Sequence, residues 1–388
     1  MRTFGKWLGR ILLMLVLAAA VVGFLKRDEL TRLLAVNSLF SEGKIVHNFS
    51  NMNAAFLWRE VPRGDAPVID LPKGPPADLP SGVSQYVKDR SVTSMLVLKD
   101  GAIVHEAYYK DTTDTDLRIS WSVAKSYLSA LMGVVLADGD IDSIDDPVTK
   151  YVPALIGTAY DGASIKNVLQ MSSGVTFDED YLDSNSDINR MGRVLALGGT
   201  MDGFTAALSD TFAAPGDEMK YVSIDTHVLG MVIRGATGRD VASLLSEKII
   251  SKLGYEVSPY YLTDGESVAF VLGGLNVTTR DYARFGQMIL QDGQFNGQQI
   301  VPADWLAAST IPSAKTKTGA LNYGYQWWMP KDPREGEFYG HGIYGQYLYV
   351  NRPKGVLIVV TSADRQFKEG DVKDYSITLF RQISEELD

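Results

Sequence analysis

The sequence predicts an α/β protein in which one antiparallel sheet is assembled from both ends of the chain, flanked by helices, with a mostly helical insertion between the two sets of strands. Three observations carry this expectation. β-rich runs cluster at residues 94–109 and return only beyond residue 323. The stretch 141–275 between them alternates short helix-period segments with loops of Gly, Asp and Ser. The regular strand–helix alternation of a doubly wound parallel sheet is missing.

The chain has 388 residues, enough for one or two domains. Residues 1–27 carry Arg2, Lys6, Arg10, Lys26 and Arg27 and no acid, around the uncharged run Ile11–Leu25. This is the pattern of a targeting segment. Ala18-Ala19-Ala20 offers a cleavage site for a signal peptide, and the flanking charges equally suit a short uncleaved anchor in the inner membrane. Either places the body outside the cytoplasm, which in a bacterium is the periplasm. The rest of the chain carries a formal charge of −15, against −10 for the whole, which excludes a nucleic-acid partner on charge grounds. Residues 28–80, crowded with prolines in their second half, read as a connector. Residues 81–388 read as the main domain, with a helical subdomain at about 141–275.

Within that domain, Ser94–Leu98 and Ala102–Tyr109 flank Lys99-Asp100-Gly101, a hairpin signal. A helix is expected from Ser122 to about Ala137, where Asp138-Gly139-Asp140 stops it. Thr226–Gly235 and Val241–Leu253 are the clearest helices of the insertion. Tyr323–Met329, Gly345–Asn351 and Val356–Ser362 read as strands, and Val372–Leu387 as a closing amphipathic helix.

The chemistry begins at Ser122-Val123-Ala124-Lys125. Residues three apart share one face of a helix, so Lys125 can reach the Ser122 hydroxyl and act as its base. The same S-x-x-K spacing at Ser41 and Lys44 lies in a polar, Gly-containing stretch with no helix to orient it. Tyr221-Val222-Ser223 supplies a phenol that could relay a proton if Lys125 lowers its pKa. Gly340-His341-Gly342-Ile343-Tyr344-Gly345-Gln346 precedes a strand. Its glycines permit close backbone approach, so N–H groups here and at Ser122 could form an oxyanion hole. Cysteine is absent, which removes disulfides, thiolate nucleophiles and thiolate metal sites. His47, His105 and His227 have no partners at triad or metal spacing, and neither metal nor other cofactor is expected.

Ser122-x-x-Lys125, then Tyr221-x-Ser223, then a Gly-rich strand start near the C-terminus resembles the penicillin-recognising serine hydrolases of the β-lactamase/transpeptidase-like fold. Supporting blocks are Asp138–Val148, Leu169–Gly174 and Gly273–Asp281, and the resemblance spans about residues 85–385. It is similar to the class C β-lactamase and esterase branch, and most of all to the 6-aminohexanoate-dimer (nylon-oligomer) hydrolases. The departures are informative. No S-D-N occurs, and Ser223 stands where class C enzymes usually carry Asn. The K-T-G strand is replaced by His341-Gly342-Ile343. A literal Lys317-Thr318-Gly319 precedes the Tyr323–Trp328 segment instead of following it, so it reads as coincidental. Loss of the K-T-G lysine removes a cation that would hold a β-lactam carboxylate.

The resemblance implies a serine amidase or carboxylesterase for small substrates that works through an acyl-enzyme. Ser122 is the expected nucleophile, with Lys125 and Tyr221 sharing the proton relay and the N–H groups of Ser122 and Ile343 holding the oxyanion. Which of Lys125 and Tyr221 is the formal base stays open. By the same resemblance Tyr181 and Asn276 contact substrate and Asp187 meets a cationic amine; Ser223 and His341, from their own motifs, are further candidate substrate contacts. The alternatives are a DD-peptidase or weak β-lactamase, and a binding protein built on a dead hydrolase fold. The intact Ser122, Lys125 and Tyr221 argue against the last.

Overall fold

In the computed structural model, which describes Arg2–Leu387, Asp100 and Gly101 take φ of 49° and 83°. A type I′ turn needs two consecutive residues of this kind. They join the strands Val92–Lys99 and Ala102–Tyr108, which pair antiparallel with Lys99 opposite Ala102. On the other side of Val92–Lys99 lies Val356–Ser362 from the far end of the chain, also antiparallel. Gln346–Asn351, Glu337–Gly342, Trp328–Met329 and Asn322–Tyr323 follow in that order, completing a seven-stranded antiparallel sheet built from both termini.

Val356–Ser362 is buried along its whole length because both faces of the sheet are covered. Leu96, Leu98, Leu357 and Val359 share a core with Tyr127 and Leu131 of the helix Ala124–Ala137 and Phe285 and Met288 of the helix Thr279–Leu290. Met95, Val97, Ile358 and Val360 point the other way, onto Tyr86 of Gly82–Asp89 and Phe380 and Ile383 of Val372–Glu386. Alternation along one strand thus serves two apolar layers, which erases the polar face that a half-buried strand would show. The helical insertion includes Ser223–Thr237, closed by Gly238, and Val241–Lys248, capped by the Asp240 side chain.

The helix expected over Val241–Leu253 stops at Lys248, with a separate 3₁₀ turn at Ile250–Lys252, and three readings nearer Ser122 also differ from the structure. Tyr323–Met329 splits into two short strands because Gln326 turns the chain at φ 64°. Its buried side-chain amide donates to Leu169 O at 2.9 Å. Ser122 does not open the long helix directly; it lies in a tight 3₁₀ turn, Trp121–Val123, that feeds into Ala124–Ala137. The third concerns residues 28–80, whose first half is not a bare connector. It forms the helices Arg27–Asn37 and Ile45–Ser50 and the strand Leu57–Glu60. That strand pairs with Tyr260–Thr263 in a second, four-stranded sheet that also contains Leu275–Val277 and Arg118–Ile119. The physical reason is a set of buried apolar side chains, Leu39, Ile45, Phe49, Met52 and Phe56, that pack on Ile119, Leu262 and Phe270. The proline-rich remainder carries no regular element beyond isolated bridging, as its composition implies.

At the N-terminus, Arg2–Leu25 is one helix whose described apolar side chains, including Leu12, Leu15 and Phe24, are exposed. Among the described residues no single helix is long and apolar enough to cross a membrane; Gly9–Leu25 and Glu29–Asn37 pass that test only as a pair bent by 76°. The expectation of a membrane anchor therefore draws no support from the helices.

Candidate active site

The tight turn that carries Ser122 begins at Trp121, held at φ 43°, and the helix that follows puts Lys125 one turn further on. The Lys125 side chain runs inward and is only 2% exposed. Its Nζ donates to Leu272 O at 2.6 Å and lies 3.1 Å from Ser122 Oγ. Burial disfavours the ammonium and pulls its pKa down to about 7, against the opposing pull of Glu179 and Asp225. Near neutral pH a large share of the amine is unprotonated, and the same contact can then run from the Ser122 hydroxyl to the nitrogen.

Tyr221 sits in the extended segment just before Ser223–Thr237, its ring stacked on Trp328 with centroids 5.2 Å apart. Lys125 Nζ lies 5.5 Å from the ring centroid. The phenol does not become acidic there. Burial, followed by the nearby Glu179 carboxylate, raises its pKa, and hydrogen bonding with Ser122 and Ser223 only partly offsets this. Tyr221 therefore keeps its proton near neutral pH, so that of the two groups Lys125 is able to accept a proton and Tyr221 to give one.

The third part of the site is the end of the strand Glu337–Gly342. A β-carbon built on Gly342 would lie 2.5 Å from Ser120 O and 3.1 Å from Ser122 N. Only glycine lets the strand close on the Ser122 turn, and this brings the 342–343 peptide beside the nucleophile. No backbone acceptor claims the N–H of Ser122 or of Ile343 among the described residues. Both amides are thus free to receive a developing oxyanion. Buried Gln346 fixes the hairpin tip, donating to Ile343 O and Tyr344 O at 3.2 Å and to Ser362 O at 2.8 Å.

Two carboxyl groups that sequence reasoning missed stand close behind. Glu179 accepts from the Ser223 N–H, from Ser223 Oγ at 3.2 Å and from the Tyr181 hydroxyl at 2.8 Å. Asp225, fully buried one turn after Tyr221, accepts from Tyr160 and Ser173 at 2.7 and 2.8 Å, and burial raises its pKa to about 7. No spacing rule marks either residue. Glu179 is one acid in an acid-rich loop, and Asp225 reads as a polar residue in a helix.

The remaining expected residues divide. Tyr181, His341 and Ser223 line the clefts around Ser122. His341 stacks on Tyr347 with ring centroids 4.6 Å apart, and burial, with Lys373 nearby, holds its pKa well below the usual histidine value. It is a neutral ring, not a substitute for the missing lysine cation. Asn276 is buried in Leu275–Val277, bonded to Gly274 O at 2.9 Å, and lines neither cleft. Asp187 is also outside both clefts; it accepts from the Asp178 N–H at 2.9 Å and pairs with Arg190 at 2.8 Å, so its charge is already engaged. Lys317 of the literal K-T-G is exposed and paired with Glu218 at 3.0 Å.

The beta-lactamase family model matches residues 83–382. A 6-aminohexanoate-dimer hydrolase of Paenarthrobacter ureafaciens is 30% identical over 298 residues, covering 72% of this chain and 75% of the relative. Among solved structures, a Bacillus anthracis protein assigned as a 6-aminohexanoate-dimer hydrolase superposes with a TM-score of 0.77 at 23% identity, over 90% of this chain and 96% of its own. A D-stereospecific amidohydrolase from Streptomyces sp. shares the fold with a TM-score of 0.56 at 18% identity, over 71% of this chain and 90% of its own.

Proposed function

The chain belongs to the beta-lactamase family, a family of serine hydrolases, and from that premise we propose that it cleaves small amides and esters through an acyl-enzyme on Ser122. The observation that carries the reading is the buried Lys125 amine, 3.1 Å from Ser122 Oγ with its pKa brought down to about 7. In the first half-reaction Ser122 Oγ attacks the carbonyl carbon while Lys125 takes its proton. The N–H groups of Ser122 and Ile343 hold the oxyanion. Tyr221 gives its proton to the leaving nitrogen or oxygen and recovers one from the Lys125 ammonium. Water then repeats the attack on the acyl-enzyme, its proton passes to the same relay, and Ser122 leaves as the restored hydroxyl. The relative named for the 6-aminohexanoate dimer supports a linear amide as substrate. The neutral His341 supports placing β-lactams below simple esters and amides.

A panel on the purified protein tests this: a p-nitrophenyl short-chain ester, the 6-aminohexanoate dimer, a D-Ala-D-Ala peptide and a chromogenic cephalosporin, each with wild type and Ser122→Ala. Ester and amide turnover should exceed cephalosporin turnover and fall at least about 10³-fold in Ser122→Ala. A serine variant with full esterase activity sinks the mechanism. The basic, apolar residues 1–27 support export, so that the body acts outside the cytoplasm; recovery of the protein only from the cytosol of its source cell would refute that part.

A further inference from the structure

Two clefts meet at Ser122, and their chemistry differs. One, of about 360 Å³, is walled by Leu39, Phe40, Phe56, Leu262, Phe270 and Leu272; Arg193 is the one charged residue among its described lining. The other, of about 430 Å³, contains Tyr221, Trp328, His341 and the lysines 331, 368 and 373. Ser122 and Ile343 border both, so a carbonyl held by their amides extends one arm into each. Tyr221 borders the second cleft and not the first. The group that protonates the leaving atom therefore faces the lysine-bearing cleft. The leaving group belongs there and the acyl group belongs in the apolar cleft.

The lysines of the second cleft are not equivalent. Lys331 is tied to Asp374 at 2.6 Å and Lys368 to Asp180 at 2.9 Å. Lys373 is half-buried, with its Nζ 5.3 Å from the centroid of the Trp328 ring. Among the described residues it has neither a carboxylate within 4.0 Å nor a hydrogen bond. Of the carboxyl groups lining the same cleft, Asp374 is taken by Lys331, Asp371 is exposed, and Glu179 is occupied by Ser223 and Tyr181. A cation losing water without gaining a partner is poised for an anion brought by a ligand.

We propose, building on the acyl-enzyme reading, that the substrate is an amide or ester with an uncharged apolar acyl chain and a leaving group bearing a carboxylate, which Lys373 holds. N-acyl amino acids have this form. The 6-aminohexanoate dimer has the carboxylate on its leaving half, but its acyl half carries an ammonium, which would enter a cleft with no carboxylate on its described walls. Lys373 thereby supplies, from the C-terminal helix, a charge that the neutral His341 cannot.

The test compares 4-nitrophenyl octanoate with its 3-carboxy derivative on wild type, Lys373→Met, Lys373→Arg and Ser122→Ala. Methionine keeps the apolar stem that covers Trp328 while removing the charge. In wild type the carboxylated ester should have a kcat/KM about tenfold higher, chiefly through KM. Lys373→Met should bring the two esters within about twofold by a loss borne chiefly by the carboxylated one, and Lys373→Arg should retain the preference. On the acyl side, a hexanoyl ester should exceed its 6-amino analogue by about tenfold or more. Equal rates for the two octanoates in wild type, or a preference that survives in Lys373→Met, would overturn the carboxylate assignment; preference for the 6-amino chain would overturn the acyl assignment. Ser122-dependent turnover without these preferences defeats the substrate class alone. Absence of turnover of any ester defeats the hydrolase reading and this inference with it.

Discussion

At the scale of single residues, the proposed acyl transfer depends on how readily Lys125 gives up its proton. Desolvation promotes this, and Glu179 and Asp225 limit the effect by stabilising the ammonium. The base is active when neutral, so the sign is fixed: kcat/KM should rise about tenfold per pH unit up to about pH 7 and then level off. The fall on the alkaline side should come late, because Tyr221 holds its proton beyond the usual tyrosine range. Glu179→Gln removes the largest of the forces that raise the Lys125 pKa, while the amide oxygen can still accept from Ser223. The acid limb should therefore shift to lower pH in this variant. A pH–rate series for the two proteins checks it, and a shift to higher pH would show that Glu179 does not act on Lys125 through its charge. The same pKa has a stability consequence. A lysine depressed from 10.5 to about 7 destabilises the fold fully below pH 7, and relief grows as pH rises toward the unfolded value.

At the scale of elements, the proposed oxyanion hole needs the strand end at Gly342 to touch the 3₁₀ turn at Ser122. Gly342→Ala places a methyl carbon 2.5 Å from Ser120 O, so the strand must retreat and the Ile343 amide retreats with it. Loss of one oxyanion donor costs about 10²–10³-fold in kcat. The variant should show that loss with its circular dichroism intact; wild-type kcat would mean that this amide holds no oxyanion. These elements also show what the sequence could reveal. The Asp100-Gly101 turn was legible because positive φ at two adjacent positions restricts the residues allowed. The Ser122 and Lys125 pair was legible because one helical turn fixes their separation. The strands Arg118–Ile119 and Leu275–Val277 of the second sheet were not, since segments of two and three residues are too short to show a period. Glu179, Asp225 and Lys373 were equally hidden. Each reaches the site through tertiary packing, and nothing in its immediate neighbours distinguishes it from an ordinary surface acid or lysine.

At the scale of the whole molecule, the segment preceding the main domain completes the site. Phe40 stacks on Tyr344, beside the Ile343 amide, with ring centroids 5.1 Å apart, and lies 6.1 Å from Trp121, beside the nucleophile. Buried Arg118 donates to Val46 O at 2.7 Å and Ser50 Oγ at 2.8 Å. Leu57–Glu60 covers the edge of Tyr260–Thr263. Two truncations separate this segment from the exposed helix before it. Removing residues 1–25 deletes a segment whose described side chains are mostly exposed, and the melting temperature should stay within about 3 °C of the full chain. Removing residues 1–60 strips acceptors from a buried guanidinium, uncovers a strand edge and opens the apolar cleft, so the melting temperature should fall by about 10 °C or more. Any residual esterase should also lose its preference for longer acyl chains, because Leu39, Phe40, Met52 and Phe56 form part of that wall. If the shorter protein melted with the full chain and kept its chain-length profile, residues 27–60 would be a connector after all and the cleft would be formed by the main domain alone. If both properties fall together, the domain that folds is also the domain that selects the acyl group, and its boundary lies near residue 26.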